Sequence, residues 1–205
     1  MPRQRVLPRA VAAFLALSFL ACLAMAALLS TDARASVSIA VTWEGLLRES
    51  SAAAVVTSLE ARPVMEGGRV YTYTRVHVDR AVAGELRAGS EAWVRTMGGV
   101  VGKIGQLVEG EAVLAKGHSS LLFLHPGLGG TLDVTARGQG QFPLVADADP
   151  TQPAHLVRSN ASGALLAPRA VSAVAPLLAA DVIHGRAVDD VARDIVAAWS
   201  RVHAG

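Results

Sequence analysis

The chain has 205 residues, 52% of them hydrophobic and 18% charged, with a formal net charge of +2. Residues 1–35 carry four of the 19 basic and one of the 17 acidic residues, leaving 15 against 16 beyond them. A near-neutral remainder excludes the electrostatic case for a nucleic-acid or anionic-membrane partner.

The amino-terminal 35 residues open on Arg3, Arg5 and Arg9, continue through an apolar segment over 10–29 and end in Ala33-Arg34-Ala35. This is the layout of a secretory signal peptide cleaved before Ser36, which predicts an exported protein, periplasmic or extracellular, with no membrane attachment after cleavage. The apolar segment is about long enough to cross a bilayer, but small residues at 33 and 35 fit a peptidase site. In an alternative reading, Phe19-Leu20-Ala21-Cys22 is a lipobox and Cys22 carries a lipid anchor; the residues after Cys22 stay apolar through Leu29, where such anchors turn polar. Cys22 is the single cysteine, so a chain beginning at Ser36 has no thiol, disulfide or cysteine metal ligand. The 170 residues beyond position 35 suffice for one domain with one core.

Residues 43–50 read as a short helix. From 53 to 62, Val55, Thr57 and Leu59 alternate with Val56, Ser58 and Glu60, and Glu66-Gly67-Gly68 supplies a hairpin turn. The returning strand puts Val70, Thr72, Thr74, Val76 and Val78 on one face, the expected inner one, and Tyr71, Tyr73, Arg75 and His77 on the other. Gly84 and Gly89 bracket the next connection. Ala92, Val94 and Thr96 then alternate with Trp93, Arg95 and Met97 until Gly98-Gly99 stops the strand. Glycines 102, 105 and 110 make any strand over 100–111 irregular. Residues 119–125 form a short buried strand around Leu121-Leu122-Phe123-Leu124, and 132–136 and 141–145 complete the set. Five to seven short strands of this kind must close or stack, giving a small barrel or sandwich.

Residues 146–169 read as a linker or long loop, and 170–205 as a helical segment. Ala-rich residues 170–180 are interrupted by Pro176, whereas Val188, Val191, Ala192, Ile195, Trp199 and Val202 fall at helical spacing behind Asp189 and Asp190. This closing amphipathic helix is expected to pack Trp199 on the barrel.

The helix at Trp43, Val56, Arg69-Val70-Tyr71-Thr72-Tyr73, Gly84-Glu85, Gly98-Gly99, Leu121-Leu122-Phe123-Leu124 and Gly138-Gln139-Gly140-Gln141-Phe142 follow one another in an order that resembles a family of bacterial exported proteins without an established function. The strand order is similar to that of netrin-like modules, which include tissue inhibitors of metalloproteinases. The resemblance spans 43–145, about half of the 205 residues. It implies a mainly β, OB-like barrel of five to seven strands with a short leading helix and a closing amphipathic one. As a function it implies peptidase inhibition by loops near the mature amino terminus, although the cysteines by which those inhibitors reach a catalytic metal are missing beyond position 35.

Catalytic signatures are scarce. Gly98-Gly99-Val100-Val101-Gly102-Lys103-Ile104 has the wrong spacing and no Ser or Thr for a phosphate loop. Gly138-Gln139-Gly140 lacks the third glycine of a dinucleotide fingerprint and reads as a turn or bulge where strands approach closely. Ser119-Ser120 near His118 has no nucleophile elbow. A metal-dependent hydrolase would have to join His77 and Asp79 to a distant histidine, with His118 and His125 flanking another strand and no tight ligand pair anywhere. No cofactor or metal is therefore expected, and the reading is a non-enzymatic module that binds a protein or small ligand. Its candidate recognition surface is Tyr71, Tyr73, Arg75 and His77, continued by Trp93 and Arg95, because aromatic and Arg clusters bury large area while fixing hydrogen bonds. The competing expectation, favoured by the need of Trp199 for a dock, is that the closing helix or the linker covers this row.

Overall fold

A computed structural model describes residues 37–147, 149, 151–169 and 175–204. The leader, the Cys22 anchor alternative and the first residues of the 170–180 stretch lie outside the described residues. Among the described residues no helix is long and apolar enough to cross a membrane.

A short strand β1 (Val37–Ile39) leads to helix α1 (Trp43–Glu49). The Thr42 hydroxyl accepts the Gly45 N–H at 3.0 Å, Glu44 sits in the first turn, and Leu46 and Leu47 are buried. Strands β2 (Ala52–Glu66) and β3 (Arg69–Gly84) then form a long antiparallel hairpin. Gly67 and Gly68 both have positive φ, 55° and 79°, as a tight two-residue turn requires. Register shifts at Ala53/Ala54, Val55/Val56 and Ser58/Glu60 bend the hairpin and let strands of 15 and 16 residues coil around a small barrel. They are followed by β4 (Glu91–Met97), the small hairpin of β5 (Gly99–Val101) and β6 (Ile104–Gln106), and β7 (Ser119–Pro126). Next come β8 (Leu132–Val134), β9 (Gln141–Val145), β10 (His155–Leu156) and β11 (Ala164–Leu166), and the helices α2 (Ala179–Ile183) and α3 (Val188–His203) end the chain.

The main sheet runs β10-β9-β7-β2-β3-β4-β8, and an additional β7–β8 pairing closes it. The ring is therefore β2-β3-β4-β8-β7, with β4 and β8 parallel and its other pairs antiparallel. The described residues thus form a mainly β fold, a small closed barrel of five strands carrying a short leading helix and a closing helix. The 146–169 stretch is largely loop, but part of it is strand: β10 extends the sheet beyond β9 and β11 pairs in parallel with β1.

The apolar residues divide between two clusters instead of forming one core. Inside the barrel lie Ala54, Val56, Val76, Val78, Val94, Leu122, Leu124 and Val134, with Ala112 and Leu114 from the irregular 107–118 segment. The Gln141 side-chain amide pins that segment, accepting from Val113 N–H at 3.0 Å and donating to Val113 carbonyl at 2.7 Å. Outside the barrel, Ala53, Val55, Leu121, Phe123 and Phe142 meet Leu46 and Leu47 of α1, Ile183 of α2, and Val191, Ile195 and Ala198 of α3. Residues 52–56 are buried on both faces for this reason. Trp199 packs against the outer cluster, so the closing helix docks on the barrel through the expected residues.

Candidate functional site

The inner face of β3 is Val70, Thr74, Val76 and Val78, all buried, while Tyr71, Tyr73, Arg75 and His77 are half-buried on the outside. Register places Tyr73 opposite Arg62 on β2 and Arg95 on β4, and Arg75 opposite Glu60 and Trp93. The six singled-out residues therefore stand on one surface, and Trp93 and Arg95 continue the row.

Among the described residues the closing helix does not lie over this row. Among the described residues, α3 packs its apolar side on Val55, Leu121 and Phe123, and its contact with β3 is made at Arg80 and Val82, beyond His77. The physical reason lies in the barrel's other outward face, where apolar Ala, Val, Leu and Phe residues give the helix more area to bury than a face carrying charges.

The uncovered face is locked by its own polar contacts. Tyr73 donates its hydroxyl to Glu66 Oε1 at 2.7 Å, and that bond, with partial burial, raises the phenol above its ordinary pKa. Arg75 bridges two carboxylates, Nε to Glu60 Oε1 at 3.1 Å and Nη1 to Glu91 Oε2 at 2.6 Å. Arg95 grips Asp133 through two bonds of 3.2 and 2.8 Å and lies 5.2 Å over the Tyr71 ring, while Arg62 lies 4.8 Å over Trp93. Guanidinium groups stacked on aromatic faces hold those rings in fixed orientation. His77 approaches Asp79 at 4.0 Å, and Asp79 accepts from the Thr57 hydroxyl at 2.7 Å. Among the described residues there is no group of three or more His, Cys, Asp or Glu that could hold a metal, so the His77–Asp79 pair has no third ligand. Ser119 bonds to Thr57, 2.8 Å away, and not to a histidine.

At Tyr71 and Arg95 the row runs into a cleft of about 250 Å³, whose wall also includes Met97, Glu111, His125, Asp133 and Arg137. Glu111, Asp133 and Arg137 escape the sequence reading, and His125 enters it only as a residue flanking a strand. Arg95, Asp133 and His125 are cross-strand neighbours on β4, β8 and β7. Glu111 and Arg137 come from irregular segments joined by a backbone bond from Gly138 N–H to Gly110 carbonyl, 2.9 Å. Glu111 is 7% exposed, and burial pushes its carboxyl above the usual carboxylate range despite the Ala112 and Met97 N–H groups and nearby Arg137. The Gly138-Gln139-Gly140 turn explains how the approach is possible. A side chain at Gly138 would press on Gly110 carbonyl and the Ala161–Ser162 backbone, and one at Gly140 would collide with Thr135 carbonyl. The one sequence signal for this site was that glycine pair, which marks a close approach without saying what it brings together.

No family model, curated protein or solved structure matches this chain.

Proposed function

We propose that the protein is an exported, non-enzymatic binding module of the cell envelope, acting periplasmically or extracellularly, and that its partner is a protein seated on the β3–β4 face. One observation carries the reading: a pre-ordered surface of Tyr71, Tyr73, Trp93 and three arginines that no described helix or loop covers, although the helices bury a neighbouring face of the same barrel. Aromatic and Arg anchors already fixed in place lose little side-chain entropy on binding, which favours recognition over solvent-mobile charge. Each arginine is matched by Glu60, Glu91 or Asp133, so the face offers no net positive field for a polyanion. The leader pattern of residues 1–35 supports the envelope location.

The test is site-specific photo-crosslinking in cells, with the photoreactive residue at Tyr73 in one strain and at the remote, exposed Asn160 in another. A discrete adduct is expected from position 73 alone, competed by wild-type protein but not by a Tyr71→Ala/Trp93→Ala variant. Identical adducts at both positions, or none at 73, would remove the proposal. Mass spectrometry of the same adduct is expected to give a mature amino terminus at Ser36.

A further inference from the structure

We infer that the cleft beside Tyr71 is a carboxylate-binding site, in which the Arg137 guanidinium clamps the anion and the Glu111 carboxyl hydrogen-bonds to it. The inference rests on the binding-module reading, because Tyr71 and Arg95 belong to both surfaces, and it names the chemical group that a ligand presents there.

Arg137 is the starting point. It and Ala136 are the two non-glycine residues with positive φ among the described residues, at 55° and 53°. Left-handed backbone strains a residue with a side chain, and such strain persists where surrounding structure imposes it, often at ligand sites. Here the imposing contacts are the Gly138–Gly110 bond and the packed glycines at 138 and 140. A glycine at 137 would adopt the same turn without strain, so the turn alone gives no reason for an arginine.

The side chain has donors to offer. Arg95 and Arg75 are each satisfied by short carboxylate bonds, whereas the ion-pair partner of Arg137 among the described residues is Glu111, with Nε 3.7 Å from Oε2. That distance is too long for a hydrogen bond. The guanidinium is about half exposed and the Glu111 side chain nearly buried, so a ligand oxygen approaching from the open side meets the guanidinium with the carboxyl beside it. A planar guanidinium fits a carboxylate through two parallel bonds. Glu111 Oε1 accepts from Ala112 N–H at 3.3 Å, and Oε2 is the oxygen nearest the Arg137 guanidinium. Burial favours the protonated form of this carboxyl, which can then donate to the incoming anion. Met97 and Val134 give the 250 Å³ space an apolar wall, which fits a carboxylate with a short aliphatic group. Such a group belongs equally to the free end of a polypeptide and to a small organic acid, and the experiment separates the two.

Isotope-labelled protein is titrated with sodium propionate, with N-acetyl-Ala-Ala-Val as the free acid, and with the same tripeptide as its amide, following the Arg137 Nε–H resonance. Propionate and the free acid are expected to shift it, and the amide is not. Free-acid affinity about tenfold above that of propionate assigns a polypeptide end, and equal affinity assigns a small acid. Arg137→Gly is expected to weaken binding at least about tenfold while raising the unfolding midpoint, a combination that mere misfolding does not produce.

The charged and titratable groups facing Glu111 across the cleft are Tyr71, Arg95, Asp133, His125 and Arg137. Binding is expected to tighten as pH falls and Glu111 takes up its proton. In a His125→Gln background, Glu111→Gln is expected to abolish that tightening, leaving only the weakening that accompanies protonation of the ligand's own carboxylate. Absence of any shift with propionate and the free acid at every pH, or full affinity in Arg137→Gly, would overturn the assignment. If the cleft fails while the Tyr73 adduct persists, only the carboxylate site falls; loss of the adduct with propionate still bound removes only the protein partner.

Discussion

Two outward faces of one barrel have opposite fates. The face made by Ala53, Val55, Leu121 and Phe123 is apolar and lies under α1, α2 and α3, whereas the face made by Tyr71, Tyr73, Arg75 and Trp93 is aromatic and ionic and lies under none of them. Both belong to strands whose other sides fill the same interior. The chain thus used its helices where burial yields most, and it satisfied the charged face laterally, strand to strand. Stability resides in the first face, and the proposed recognition role falls to the second.

That division predicts a graded set of mutational effects. Phe123 is fully buried and meets Trp43 and Phe142 edge to face at 6.3 and 6.2 Å. Phe123→Ala is expected to cost about 3–5 kcal/mol in denaturant unfolding, with α3 losing its protection from hydrogen exchange. A Tyr73→Ala variant with an equal cost would break the comparison. Gly140→Ala, which drives a methyl group into Thr135 carbonyl, is expected to cost about 2 kcal/mol or more and to disturb the Glu111–Arg137 cleft; calorimetry and Arg137 chemical shifts check the two parts.

The pH profile sharpens the contrast within the polar region. The folded protein raises the Glu111 pKa, so it holds that proton more tightly than the unfolded chain does. Its contribution is fully present below the unfolded carboxylate pKa and is lost as pH rises through the folded one. Glu111→Gln is therefore expected to gain stability relative to wild type on passing from acid to neutral pH, measured as paired unfolding midpoints. At the small end stands Arg62→Ala, which removes an exposed guanidinium from the half-buried Trp93 ring: about 0.5 kcal/mol in unfolding is expected, yet a clear fall in Tyr73 crosslinking yield.

Strands β3 and β4 are legible in the sequence because each has one wet face and one dry one, which writes a period of two. Residues 52–56 lose that alternation because both of their faces are dry. The two residues of β10 and three of β11 carry no local signal, since only pairing with distant β9 and β1 makes them strands. The position of α3 is written in Val55, Leu121 and Phe123 more than in Trp199, because an amphipathic helix specifies which of its own sides is buried and not which face of the barrel receives it. Glu111 and Arg137, 26 positions apart in glycine-rich segments, become neighbours only through the Gly138–Gly110 contact.

The ring is fastened by its shortest stave. β8 has three residues, joined to β4 at Leu132 and Asp133 and to β7 at Leu132, Asp133 and Val134. A hoop yields at its narrowest clasp, so breathing motions of the barrel should begin between β4 and β8, and amides there should exchange before those of the long β2–β3 hairpin. Since Asp133 is also the anchor of Arg95, anything that grips Arg95 from outside also tightens or loosens the buckle.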